Sequence, residues 1–171
     1  LKLKSRLKIL LVSNYRPDEQ HSMLGFSRMM KAGLEKIDQQ VEEIWPKPFF
    51  NRTVKLPKQI RKWLAYADKY LIFPKKIRHH LRDNDLDIVH VCDHSNSIYL
   101  PHLSQRSHLI TCHDVMAIRS AMEHFPEVRI GSMGKRLQRR ILGSLRNANH
   151  VTCVSENSRQ DLVRLAPELD K

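Results

Sequence analysis

The stretch LITCHDV, residues 109–115, gives the first hold on the chain's architecture. A short apolar run ends abruptly on Cys112, His113 and Asp114 before the chain turns apolar again. An uninterrupted apolar run of this length, bounded by polar residues, is the pattern of a strand buried on both faces. Three other stretches share it. LKILLVSN (7–14), LDIVHVCD (86–93) and HVTCVS (150–155) each run apolar and then give way to Ser, Asn, Asp or His. A weaker strand, QQVEEIW (39–45), is stopped by Pro46 and Pro48.

Between these strands the apolar residues recur at helical spacing. Met23, Phe26, Met30 and Leu34 predict a helix over 22–36, with Ser22 as its N-cap. Leu56, Ile60, Trp63, Leu64, Ala67, Tyr70 and Leu71 share one helical face, and 75–85 reads as a further helix. Residues 95–103 read as a helix or turn interrupted by Pro101. Met133, Leu137, Ile141 and Leu145 predict a helix over 132–148, and Ser155 caps another over 155–165. Strand and helix alternate throughout. That predicts an α/β fold: a Rossmann-like open, mainly parallel sheet with helices on both faces. The whole of 1–171 is expected to form one such domain.

In open parallel sheets, ligands bind outside the carboxyl ends of the strands. Here those ends are SNYRPDEQ (13–20), CDHSNS (92–97), CHD (112–114) and CVSENS (153–158). The strand bodies are apolar and the ends polar, so His113 and Asp114 are expected on the functional rim.

Composition narrows the classes. The 171 residues are 41% hydrophobic and 28% charged, ordinary for a globular chain, and no apolar run approaches the ~20 residues of a membrane span. The basic start of the chain precedes too short an apolar run for a signal peptide, so a cytoplasmic location is expected. Cys92, Cys112 and Cys153 close apolar runs and read as buried thiols in a reducing compartment. With His90, His94 and His113 they invite a zinc reading, but no C-x2-C or H-x3-H pair exists, and no metal is assigned. Asn51-Arg52-Thr53 is read as a chance sequon. The net charge of +12 is concentrated. Residues 47–82 hold 11 basic side chains against one acid, Asp68, and residues 129–146 hold six against none. Two basic patches on a near-neutral body point to an anionic partner.

The order of motifs, DIVHVCDHS, LITCHDV, a basic helix, then ANHVTCVSENSRQDL, resembles the N-terminal, acceptor-side domain of a family-4 retaining glycosyltransferase with the GT-B fold. The most specific pieces are the His-Asp after a strand and V-S-x-x-S-x-x-D-L after the last one. The resemblance implies two Rossmann-like domains facing a cleft. The N-terminal domain binds a sugar or lipid acceptor, a C-terminal domain binds a nucleotide-sugar donor, and neither cofactor nor metal is needed. His113 would reach the transferred sugar, and Asn14, Arg16, Gly25, Asp114, Ser155 and Ser158 would line the substrate side. Two departures stand out. The family opens its first helix with paired glycines, whereas EQHSMLGF (19–26) offers only Gly25. The donor-side Glu-x7-Glu motif is matched only by Glu35 and Glu43, between the first helix and second strand, which is coincidence. The donor-binding domain is therefore expected to be missing, the chain inactive alone, and its uncovered cleft face open to self-association.

Each site residue also has a plainer reading. His113 also reads as a partly exposed histidine at a strand end; Asp114, Ser155 and Ser158 also read as caps, and Arg16 as a lone surface arginine. Lys58, Arg61, Lys62, Trp63 and Lys69 form a basic, partly aromatic surface that suits an anionic membrane, giving a peripheral location. Nucleic acid ranks second, since no reader motif is present. The alternative function is a basic binding module for membrane or nucleic acid, without catalysis.

Overall fold

The structure, a computed structural model, describes residues 6–50, 57–125 and 127–170, with the side chain of Lys58 outside that description. Among the described residues there are five strands, β1 (Lys8–Val12), β2 (Gln40–Ile44), β3 (Ile88–Val91), β4 (His108–Cys112) and β5 (His150–Cys153), ordered β2-β1-β3 and β4-β5. Six α-helices among the described residues accompany them: α1 (His21–Lys36), α2 (Lys58–Ala67), α3 (Phe73–Asp83), α4 (Met116–Ala121), α5 (Ser132–Leu145) and α6 (Glu156–Leu165). This is the Rossmann-like α/β architecture that the alternation of strands and helices predicts. The chain divides into two compact units, Leu1–Cys92 and Asp93–Lys171.

In the first unit β1 lies between β2 and β3, parallel to both, with Leu10 opposite Glu42 and Val89. Leu10, Leu11 and Val12 are fully buried, and consecutive strand residues point to opposite faces, so both faces of β1 are covered. That is why its sequence is apolar without alternation. On one face Ile9, Leu11 and Cys92 meet Phe26, Met30 and Leu34 of α1. Truncating Leu11 to Ala would open a cavity costing ~2–5 kcal/mol.

The chain runs from β1 through α1 to β2 on one side, then returns to place β3 on the other side of β1. Such a reversal leaves a crevice outside the carboxyl ends of the two strands that diverge, here β1 and β3. Helix α1 begins at His21, one residue before the expected start, and Gln20 rather than Ser22 is its cap residue, with no side-chain cap bond. A 3-10 turn, Arg16–Asp18, delivers the chain there through Glu19 at φ 53°.

Helices α2 and α3 are joined by a π-helical turn, Asp68–Ile72, in which the Phe73 N–H donates to the Asp68 carbonyl. Pro74 has no N–H to offer the preceding turn, and the wider π spacing accommodates that loss. The π turn also carries Asp68 inward, where it is fully buried.

In the second unit β4 and β5 pair in parallel register, Ile110 with Val151 and Cys112 with Cys153. His108 anchors the entry to β4: its ring Nε2 accepts the Asn149 N–H (3.1 Å) while its backbone N–H donates to Asn149 Oδ1 (3.2 Å). The segment read as a helix or turn around Pro101 is a 3-10 helix, His94–His102, whose buried Ile98, Tyr99 and Leu100 belong to the core with Ile141, Leu142 and Leu145 of α5. Ser97 Oγ donates to the Ile141 carbonyl at 2.8 Å, pinning that 3-10 helix to α5. Helix α4 has no counterpart among the helices expected from periodicity. Among the described residues no helix is long and apolar enough to cross a membrane.

Candidate functional site

In a parallel pair the carboxyl ends of both strands share an edge. The edge of the second unit is built from the residues after β4 and β5. Cys112 is fully buried; His113 is half-buried; Asp114 is exposed. Asp114 Oδ1 accepts the Met116 N–H at 2.9 Å, so this carboxylate starts α4. Ser155 caps α6, its Oγ accepting the Ser158 N–H at 3.1 Å. The Ser158 hydroxyl in turn donates to the backbone carbonyl of His113 at 2.7 Å, and the two serine oxygens lie 3.0 Å apart. The start of α6 thus grips the histidine's main chain and fixes where the imidazole begins.

Behind this edge lies a buried polar group that sequence reasoning did not single out. Asp93, 3% exposed, caps the 3-10 helix by accepting the Ser95 N–H (3.0 Å) and Ser95 Oγ–H (2.8 Å), and His94 Nδ1 lies 3.2 Å from its Oδ1. The signal present in the sequence is Asp-x-Ser directly after a strand, an Asx-turn spacing. The register partners Cys112 and Cys153 project to one face of the sheet. Burial, then the neighbouring Cys153, Asp114 and Asp93, push the Cys112 thiol far up, and burial raises Cys153 as well. Both shifts favour the thiol over the nucleophilic thiolate.

Further along α6, Arg159 forms a fork with both oxygens of Glu156 and also meets Asp170. Bonds from Arg159 and Gln160 hold the Glu156 carboxyl down at about 2. Arg119 of α4 pairs with Asp161 of α6 at 2.7 Å and lies over the Phe125 ring.

The first unit has its own edge, at the carboxyl ends of β1, β2 and β3. Asn14 is buried, its Nδ2 donating to Gln20 Oε1 at 2.6 Å. Ser13 Oγ donates to Ser27 Oγ (2.9 Å), which lies 3.1 Å from Glu43 Oε1. Arg16 is exposed and its guanidinium stacks 3.6 Å over the Trp45 ring. Stacking uses the flat face of the guanidinium and leaves its in-plane N–H groups for another acceptor. Among the described residues no acid lies within ion-pair distance of Arg16. Gly25 sits in the second turn of α1, exposed, where an added Cβ would meet nothing within 4 Å.

The apolar face expected on α2 is open in part. Ile60 is 47%, Trp63 58% and Leu71 64% exposed, whereas Ala65 and Asp68 face inward. Arg61 is half-buried and Lys62 exposed; Lys69 pairs with Asp18 at 2.7 Å. Lys58 heads α2, but its side chain lies outside the described residues, as do Leu56 and the sequon Asn51-Arg52-Thr53.

The family model for glycosyltransferase family 4 matches residues 34–169. The chain belongs to glycosyltransferase family 4. The match takes in His113, Asp114, Ser155, Ser158 and the basic helices, and leaves Asn14, Arg16 and Gly25 before its first residue. The loop with the atypical glycine content is therefore the part of the site outside the family match. No curated protein and no solved structure matches the chain.

Proposed function

We propose that this chain is the acceptor-binding side of a nucleotide-sugar-dependent retaining glycosyltransferase, with donor binding left to a second domain. The observation that carries the reading is His113: in a chain of this family, it follows β4 at the carboxyl edge, its backbone held by Ser158. A retaining transfer passes through an oxocarbenium-like state while a nucleoside diphosphate leaves. An imidazole carried on an anchored backbone can grip a sugar hydroxyl through that change, and positioning of this kind lowers the barrier by removing orientational freedom beforehand. Arg16 offers free in-plane donors of the type that stabilise a departing diphosphate. The start of α6 contributes mainly by holding the His113 loop, because the Ser155 and Ser158 hydroxyls are already engaged with each other and with that loop.

A peripheral membrane location is supported by a separate observation. Ile60, Trp63 and Leu71 are exposed on a helical stretch that also presents Arg61 and Lys62. Apolar groups at head-group depth with cations beside them suit an anionic surface, at ~1 kcal/mol per cation. Nucleic acid ranks below this reading.

The test is transfer of sugar from nucleoside diphosphate sugars, measured for the chain alone and for the chain joined to a family-4 donor-binding domain. The joined protein is expected to transfer with retention of the anomeric configuration, and the chain alone is not. Efficient transfer by the chain alone would overturn the reading.

A further inference from the structure

A cavity of about 400 Å³ opens between the loop after β1 and α2, lined by Tyr15, Asp18, Arg61, Lys62, Tyr66 and Lys69, with Pro17 and Ala65. We propose that it holds the phosphoryl group of a phosphorylated acceptor. This rests on the acceptor-side reading above and names the substrate class.

Charge is the first argument. Three cations meet one carboxylate in the lining, and the carboxylate serves only one of them: Asp18 bonds Lys69 at 2.7 Å. Lys69 is held in place. It lies over the rings of Tyr15 (5.4 Å), Tyr66 (5.4 Å) and Tyr70 (5.9 Å), cation–π contacts that fix its position. Arg61 and Lys62 have no acid within ion-pair distance among the described residues. The cavity therefore carries two uncompensated cations on one helical turn, one of them a guanidinium whose fork matches two phosphate oxygens.

The walls are the second argument. Tyr15 is 2% exposed and its hydroxyl donates to buried Asp68 at 3.3 Å, which in turn accepts the Phe50 N–H at 2.9 Å. The cavity floor is thus fixed by hydrogen bonds before any ligand arrives. A built cationic cavity beside the crevice at β1 suits a compact anion better than a neutral sugar, which would leave the two cations unpaired. Asp18 sharpens the test, because a carboxylate near an incoming phosphate repels it.

The experiment is titration of the isotope-labelled chain with glycerol 3-phosphate, with glycerol as the neutral control, followed by backbone amide NMR. Saturable shifts are expected at residues 15–18 and 61–69 with glycerol 3-phosphate and none with glycerol. Arg61→Ala should weaken binding about tenfold and Arg61→Lys less, the loss of a charge-assisted fork. Asp18→Asn should tighten it. Vesicles of phosphatidylglycerol in phosphatidylcholine separate the two sources of phosphate: displacement of glycerol 3-phosphate by vesicles assigns a lipid head group, and vesicle-independent binding assigns a soluble phosphorylated acceptor. Equal binding of glycerol, shifts confined to other residues, or weaker binding by Asp18→Asn would overturn the proposal. If the phosphate fails to bind while the joined protein still transfers sugar, the phosphoryl site falls and the acceptor-side reading stands. If the phosphate binds while the joined protein transfers nothing, the anion site stands and the acceptor-side reading falls.

Discussion

The Ser158 hydroxyl donates to the main-chain carbonyl of His113 at 2.7 Å, across 45 residues of sequence. This one bond joins the start of α6 to the loop after β4. It makes the position of the imidazole a property of two elements.

Ser158→Ala breaks that tie and leaves the His113 carbonyl without this donor. A loss of about 1 kcal/mol in unfolding free energy is expected from urea denaturation. Ser155→Ala removes the cap of α6 and should cost about as much. Because the two hydroxyl oxygens touch, the double variant should lose less than the sum of the singles. Strict additivity would show that the two serines act separately.

Asp68 is the buried hub of the first unit, accepting from Tyr15 and from the Phe50 backbone. Asp68→Ala strands both donors and should destabilise by about 1–3 kcal/mol. Tyr15→Phe removes one partner only and should cost about 1 kcal/mol. Thermal and urea unfolding of the two variants, and of the pair combined, measure the coupling. A neutral Asp68→Ala would show that water reaches this carboxylate.

Gly25 tests function against stability. It lies inside α1 at ordinary helical φ, and a methyl there meets open space. Gly25→Ala should therefore stabilise the chain by ~0.5–1 kcal/mol, seen as a higher melting temperature. If substrate approaches the backbone at this point, the same variant loses transfer in the joined protein while gaining stability.

Glu156 carries a pH signature. Arg159 and Gln160 lower its carboxyl from 4.5 to about 2. A carboxyl lowered on folding contributes stability above its unfolded value and loses it as pH falls through the folded one. The stability difference between the native chain and Glu156→Gln should be full above pH 4.5 and close as pH approaches about 2. The pair is exposed, so added salt should shrink the difference. Unfolding midpoints across that pH range give the comparison. A Glu156 titration midpoint in the ordinary carboxylate range would contradict it.

The strands were legible because burial on both faces demands unbroken apolar runs, and β1, β3 and β4 have them. The polar residues after these runs marked the carboxyl edge of each unit for the same reason. Other features were not legible. Helix α4 has six residues, too few to show a period. Ser22 has the chemistry of a cap, but the 3-10 turn at Arg16–Asp18 sets the helix start at His21. Asp68 stood out in sequence only as the lone acid of a basic segment, and its inward position comes from the π turn. The partner of Ser158 is a carbonyl, which has no sequence signature at all. Asp114 and Ser155 act as the caps their types suggest.

The role of His113 rests above all on the turnover of the joined protein carrying His113→Ala, measured beside its unfolding curve. The side chain is half-buried and the tie to Ser158 runs through the backbone, so folding should be retained. A fall in transfer rate of about 100-fold or more is expected, with stability little changed. Undiminished transfer by a folded His113→Ala protein would remove this imidazole from the reaction and the proposed function with it.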